Sequence, residues 1–138
     1  MLPINLLSVL VSAVMAFVLG FLFHGPVSGK LWMKLANIHP TGNEKLSDIY
    51  GQLFWNFLVN LVTAYGLANI ILVSTVYSNT VGSAISGMAV SFWVWLCFLA
   101  TSSSIEVIWM GRSWQLWFFE AMCSLVIMLS MGAVLASW

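Results

Sequence analysis

The sequence predicts an all-α integral membrane protein, a four-helix transmembrane bundle with up-down topology. Two observations lead to this fold class. The first is composition: 62% of the 138 residues are hydrophobic and 6% are charged, whereas soluble domains carry roughly 25% charged residues. The second is a set of four apolar runs, each close to the ~20 residues that a helix needs to cross a hydrocarbon core. Because no linker separates them, we expect a single domain over residues 1–138.

The four runs are predicted to be helices and not barrel strands, because they are long and lack period-two alternation. No Lys or Arg precedes the first run and no small-residue cleavage site follows it. We therefore interpret it as a retained helix and not as a signal peptide. The predicted helices cover about residues 4–23, 53–76, 81–105 and 116–138. The predicted charged loops cover residues 24–52 and 106–115.

The formal charges predict how the chain is oriented. In a protein with four spans, the first and third loops lie on the same side. These loops, with one position a turn into the fourth helix, hold all four Lys and Arg and all four Asp and Glu. The connection around residues 77–80 holds none. By the positive-inside rule, we expect a multi-pass protein of the cell membrane, with loops one and three cytoplasmic and both termini outside.

The first loop has internal order. Lys30 and Lys34 are four residues apart with Trp32 between them. This spacing predicts a short helix in the lipid interface, with the lysines toward water or lipid phosphate. Thr41 and Glu44 have the spacing of a capping box, so the second helix is expected to begin before the membrane. The alternative interpretation is a simple re-entry turn.

A ladder of polar residues is predicted along the second helix, with steps of four, four, four and three that keep its members on one helical face. The ladder consists of Asp48, Gln52, Asn56, Asn60 and Thr63. Because polar groups in hydrocarbon need partners, this face is expected to point into the protein. Two interpretations stay open: the lining of a hydrated pathway, or hydrogen bonds between helices worth about 0.6 kcal/mol each.

Two acidic residues are candidates for a proton or cation site. Glu120 lies about one turn inside the fourth helix, and Glu106 lies across the short third loop from it. An ionised carboxylate at that depth must reach water, pair with a cation or hold a proton. The alternative is an interface residue that pairs with Arg112 or a lysine.

Catalysis and metal binding have little support. His24 and His39 lie on the charged side, but no spacing typical of a metal site is present. The motifs of phosphate-binding loops, serine hydrolases and zinc proteases are missing too. Cys97 and Cys123 are expected to be free thiols. We expect no enzymatic activity, no metal and no cofactor, and the zero net charge argues against nucleic acid as a partner.

Small residues repeat every four positions on the first and third helices, a pattern that lets helix backbones approach closely. The two rows are Ser8, Ser12, Ala16 and Gly20, and Ser83, Gly87 and Ser91. We expect them to pack helices, either within one chain or between chains. Because four helices form a thin wall, we also expect a homo-oligomer, most simply a dimer.

Several stretches resemble the domain of unknown function 1761 family. The segment AFVLGFLFHGP at 16–26, followed by GKLWMKL at 29–35, is similar to that family's Gly-x-x-Trp-Tyr-Ser-Pro helix end and the Phe-Gly-Lys-x-Trp-Met after it. The end of the chain is also similar, from FLAT at 98–101 through Gly111 and Arg112 to MGAVL at 131–135. Phe-His-Gly-Pro replaces the usual Trp-Tyr-Ser-Pro, so no role of that tyrosine or serine transfers. The resemblance covers nearly the whole chain and implies a small bacterial-type membrane protein, without an activity or known binding residues.

Two functions are left open by the sequence. The first is a small-solute or ion transporter or channel subunit, in which the ladder and Glu120 line the route. The second is a non-transporting structural or accessory membrane protein, in which the same residues hold helices together. In both cases the lipid bilayer is the expected surrounding, and the identity of any small solute or ion stays open.

Overall fold

The computed structural model describes residues 4–39, 49–79 and 82–138, and all regular secondary structure in these ranges is helical. The helices are α1 (Leu6–His24), α2 (Gly29–Leu35), α3 (Tyr50–Ser78), α4 (Ala84–Val94), α5 (Thr101–Met110) and α6 (Trp114–Ser137). A π-helical segment, Trp95–Ala100, joins α4 to α5 without a break. The expected all-helical class is confirmed. Asp48 of the ladder and the predicted capping box of Thr41 and Glu44 lie outside the described residues.

Four helices are long and apolar enough to cross a membrane. They are Leu6–His24, Tyr50–Ser78, Ala84–Met110 and Trp114–Ser137, with 19, 29, 27 and 24 residues. Even the shortest is about 28 Å long at 1.5 Å per residue, close to the thickness of a hydrocarbon core. Large apolar side chains also cover their outer surface, with Ile85 76% exposed. Both features fit a multi-pass membrane protein, because lipid solvates such a surface.

Local signals in the sequence set the helix ends. The side chain of Asn5 accepts a hydrogen bond from the Leu7 backbone N–H at 3.0 Å and so caps α1. Ser83 and Ser86 form a reciprocal capping box at the start of α4. At the other end of that long helix, Gly111 adopts a left-handed conformation with φ 69°, which favours glycine and ends α5.

The long helices extend further than the sequence predicts at the charged side. The third continues to Met110, where the apolar run predicts an end near 105, and the fourth begins at Trp114. Glu106 therefore lies on a helix and not in a loop. The reason is that a serine-rich, amphipathic stretch is compatible with a helix leaving the hydrocarbon, and Gly111 alone stops it.

The core of the protein is built around α6, which packs against α4 and α1, while α1 also packs against α3. Small residues form much of it: Ser12, Ala13 and Ala64 are fully buried, and Met131 of α6 is fully buried as well. Such small side chains let the helices approach closely, and close approach maximises dispersion contacts where no hydrophobic effect operates.

The closest approach joins α4 to α6. A Cβ atom added to Gly87 would overlap the backbone oxygen of Gly132, and one added to Gly132 would overlap the Ser91 side chain. Gly87 and Ser91 belong to the predicted small-residue row, but Ser83 instead caps α4 and is exposed. Gly20 has no comparable role, since a Cβ there would meet only the Ile127 side chain at 3.9 Å.

A charged cavity between the third and fourth long helices

A cavity with charged walls lies where α5 ends and α6 begins. Its volume is about 380 Å³, and its walls come from the π-helical segment, α5, the turn after it and the first half of α6. It is lined by Leu99, Ser102, Ser103, Glu106, Val107, Arg112, Leu116, Trp117, Glu120, Ala121 and Ser124. The cavity therefore combines two acids, one base, three hydroxyls and an apolar wall.

The charged side of the cavity is a cluster of Glu106, Arg112 and Glu120. Nη1 of Arg112 donates a hydrogen bond to Oε2 of Glu106 and lies 3.7 Å from Oε2 of Glu120. The side chains are 46%, 41% and 34% exposed respectively, so all three reach the surface of the chain. Two carboxylates and one guanidinium leave a formal charge of −1 when both acids are ionised. The cluster is thus open, only partly neutralised, and shared between two helices.

The short turn between α5 and α6 brings these three residues together. Gly111 reverses the chain in its left-handed conformation, and the Ser113 side chain caps α6 by accepting a hydrogen bond from the Leu116 N–H at 3.1 Å. Arg112 is consequently fixed in the turn with one acidic helix on either side. Glu106 lies one turn before the end of α5, and Glu120 lies about two turns into α6.

Two tryptophans tie the cavity walls together. Nε1 of Trp117 donates to Oγ of Ser103 at 3.0 Å, and Nε1 of Trp95 donates to Oγ of Ser124 at 2.9 Å. Both bonds cross from one long helix to the other. Because Ser124 lies one turn deeper than Glu120, the Trp95 bond closes the inner end of the cavity. Two of the three hydroxyls of the cavity, those of Ser103 and Ser124, are therefore held in place by donors from the facing helix.

The π-helical segment lies directly beside this cavity. A π turn inserts an extra residue into a helix, and such turns occur frequently at functional sites. Here the segment contributes Trp95 to the closing bond and Leu99 to the wall. A run of hydroxyl residues, 101–104, follows it, and each hydroxyl bonds to a carbonyl about one turn earlier. These bonds satisfy the side chains internally and relax the backbone geometry near the site.

The structure brings together the two acids singled out in the sequence, with Arg112 between them, but it keeps the α3 ladder away from them. Gln52 and Asn56 are exposed, while Asn60 and Thr63 are half-buried, and none of these residues lines the cavity. Their hydrogen bonds run along α3 itself. Nδ2 of Asn60 donates to Oδ1 of Asn56 at 2.8 Å, and Oγ1 of Thr63 donates to the Val59 carbonyl at 2.9 Å.

The remaining candidate residues lie apart from the cavity. Lys30 and Lys34 are exposed on α2, and Trp32 between them packs edge-on against His24, with ring centroids 5.3 Å apart. His24 Nδ1 is 3.0 Å from the Gly20 carbonyl oxygen. Cys97 and Cys123 are free thiols. Among the described residues, no three His, Cys, Asp or Glu side chains are grouped so that they could hold a metal ion.

Sequence reasoning missed Ser103, Trp117 and Ser124 as site residues. A signal for them exists, because Trp117, Glu120 and Ser124 follow one another at steps of three and four on α6. Ser103 precedes Glu106 by three residues on α5 in the same way. A search for polar and aromatic residues one turn on either side of each intramembrane acid finds all three.

Residues 7–136 match the family described as "Protein of unknown function (DUF1761)". This range is nearly the whole chain and contains the entire cavity. Comparison with curated proteins and comparison with solved structures give no match.

Proposed function

This chain belongs to the DUF1761 family of proteins of unknown function, and we propose that it binds a small monovalent cation in the charged cavity, as a small-solute or ion transporter or channel subunit. The observation that supports this proposal is the cluster in which two carboxylates, on facing helices, share one arginine. Its formal charge of −1 is one positive charge short of neutrality. A bound cation or proton restores that balance in an environment where an unpaired carboxylate is costly.

The walls of the cavity support an organic cation as well as a proton. Trp117 offers an indole face, which attracts ammonium groups, and Leu99, Val107 and Leu116 offer apolar surface. The volume of about 380 Å³ is near the lower end for ligand pockets, so a compact solute fits best. The proposed role is binding and passage of a solute and not catalysis.

The proposed arrangement is an up-down four-helix bundle in the cell membrane, with the cavity opening to the cytoplasm and both termini outside. Support comes from the positive-inside rule, since Lys30, Lys34, Lys45 and Arg112 all belong to the first and third connections. The ends that carry Ile4, Thr75, Gly82 and Trp138 meet at a second, smaller cavity of about 190 Å³. In this orientation the second cavity faces outside.

Passage through one chain requires a conformational change under this proposal. Beyond Ser124, the contact of Gly87 with Gly132 keeps α4 and α6 too close for a solute. The π-helical segment lies between that contact and the charged cluster, and a helix is easily rearranged at such a segment. Shortening or moving the extra turn would break the bond between Trp95 and Ser124 and deepen the cavity. This is a gating step of the kind that loop and helix movements commonly provide.

The alternative function is a non-transporting structural or accessory protein. This alternative is supported by the pairing of Arg112 with both acids, because such a cluster also holds two helices together. The two functions differ in one property. A transporter needs a cavity that is hydrated and accessible to a solute. A cluster that only holds two helices together needs no such access.

Cysteine accessibility tests the proposal. In a background with Cys97→Ala and Cys123→Ala, Ser103→Cys and Ser124→Cys are each treated with a membrane-impermeant cationic thiol reagent. We expect rapid labelling from the charged side only, and slower labelling when a small alkylammonium ion is present. Ser12→Cys is the control, because Ser12 is fully buried in α1. Labelling no faster than at Ser12 contradicts a hydrated cavity and favours the structural role.

A further inference from the structure

We infer that two copies of this chain associate through the outward face of α3, with the Asn56 side chains of the two copies paired across the interface. The ladder is a cluster of amides on a helix that is long and apolar enough to span a membrane. Asn56 is exposed and Asn60 is half-buried. This inference does not depend on what the charged cavity binds.

The two amides leave a donor and an acceptor unused. Nδ2 of Asn60 donates to both the backbone oxygen and Oδ1 of Asn56. Within the described residues, nothing accepts from Nδ2 of Asn56 and nothing donates to Oδ1 of Asn60. Asn56 and Asn60 lie eight and four residues before the middle of α3, about 12 and 6 Å from it, so both fall within the ~15 Å half-thickness of a hydrocarbon core centred on the helix. Lipid tails have no hydrogen-bonding groups, so the unused donor on the exposed Asn56 needs a partner from another molecule.

A second copy supplies that partner because a side-chain amide is self-complementary. Each chain offers one unused amide donor at Asn56, and Oδ1 of the same side chain keeps a second lone pair beside the one that accepts from Asn60. Two chains with the same orientation in a membrane are related by a two-fold axis along the membrane normal, which places equivalent residues at equal depth. Asn56 of one copy then lies beside Asn56 of the other, and Nδ2 of one donates to Oδ1 of its equivalent. A buried asparagine acts in the same way in coiled coils, where it specifies register and oligomeric state.

The surroundings of the amides allow such an approach. Asn56, Val59, Thr63, Gly66 and Ile70 follow one another at steps of three and four, the spacing of a helix–helix seam. All five are wholly or partly exposed in the single chain. A Cβ atom added to Gly66 would meet nothing within 4 Å, so this position is open for a neighbouring helix. We call these five residues the α3 seam.

Cross-linking tests the geometry. In the background without Cys97 and Cys123, we expect Val59→Cys to form a disulfide-linked dimer readily in the membrane. Phe54→Cys is the matched control, because Phe54 is 59% exposed against 62% for Val59 but lies five residues before it, on the other side of α3. Equal cross-linking at both positions, or none at Val59, overturns the inference.

Dilution in lipid tests the amides. With fluorescently labelled protein in vesicles, we expect Asn56→Leu combined with Asn60→Leu to weaken dimerisation by roughly 3- to 30-fold, the range given by transmembrane polar contacts. Asn69→Leu is the control: Asn69 bonds to the Tyr65 carbonyl on the opposite side of the same helix, and its removal should leave dimerisation unchanged. A protein that stays monomeric at high density in the bilayer, or loses dimers equally in both variants, contradicts the α3 seam.

Discussion

The charged cavity and the α3 seam are both polar regions of an apolar protein, and they differ in how their polar groups are satisfied. In the cavity, Arg112 pairs with two acids and both indole N–H groups reach serines on the facing helix. On α3, within the described residues, the amides bond only along their own helix and leave one donor and one acceptor unused. We propose that the first region, completed between helices, holds a solute, and that the second, which lipid cannot complete, pairs with another chain.

The largest effect is expected when the same substitution, glycine to leucine, is made at the contact between α4 and α6 and at the α3 seam. Gly87→Leu should destabilise the fold by about 3 kcal/mol or more, because the added side chain overlaps the backbone of Gly132. Gly66→Leu should leave the stability of the single chain nearly unchanged and weaken dimerisation, because position 66 is open in the single chain. Thermal unfolding in detergent and dimer fraction in vesicles measure the two effects. A fold equally sensitive at both positions would contradict the assigned packing.

The next effect concerns the solute. Glu106→Gln combined with Glu120→Gln should lower the binding of a small alkylammonium ion by at least roughly ten-fold, since ~1.4 kcal/mol corresponds to that factor and both carboxylates are lost. Binding of a radiolabelled tetramethylammonium ion to protein in nanodiscs is the measurement. The α3 variant Asn56→Leu with Asn60→Leu should bind it as the unmodified protein does. Unchanged binding in the acid variant would argue for the structural function.

A smaller effect is expected at the inner end of the cavity. Ser124→Ala removes the acceptor of the hydrogen bond from Trp95 and should cost about 0.5–1.5 kcal/mol of stability, because the loss of one hydroxyl changes the packing little. If this bond also closes the cavity, labelling of a cysteine at Ser91, deeper along α4, should rise in the same variant. Phe98→Leu, at a ring in the same π-helical segment that is 67% exposed, is a control that should change neither quantity.

The smallest effect is expected from the charge balance of the cluster. Arg112→Gln leaves two acids without a base, and at this degree of exposure the loss should be about 0–1 kcal/mol because water screens the charges. Adding Glu106→Gln restores the formal charge of −1 and should recover part of the stability. The midpoint of thermal unfolding at low and high salt measures this. A destabilisation that is independent of salt would point to packing and not to charge.

The sequence was informative about which segments form helices, and much less so about which helices pack against one another. Apolar run length predicts four membrane helices because the thickness of the bilayer fixes the number of residues that cross it. It also singles out Glu120, since acids are rare in such runs, and the short third loop adds Glu106 across from it. The length of the apolar runs does not predict that α5 continues past Glu106, or that Gly87 of α4 lies against Gly132 of α6. Helix ends and partners depend on caps and packing that leave no periodic signal in a uniformly apolar chain.

The polar ladder shows the same difference between what one helix determines and what its neighbours determine. Its spacing puts the amides on one face of α3, and this follows from helical geometry alone. Whether that face points inward depends on which side of α3 the other helices use, and they use the side of Ala64, Leu67 and Ala68. From the sequence we expect the polar groups of the ladder to face the interior of the protein. In a single chain, however, they need only a hydrogen-bond partner, and here that partner is on α3 itself. Small residues on the neighbouring face gave closer packing and decided the orientation.

Composition and run length by themselves determined that this chain is helical and suited to a membrane, because the energy of placing each segment in lipid is a sum over its own residues. The tertiary structure decided which polar groups meet. The cluster of Glu106, Arg112 and Glu120 exists because a three-residue turn places α5 beside α6, and the α3 seam exists because α1 and α6 pack on the other side of α3. Such contacts are properties of pairs of helices, and no single segment of sequence contains them.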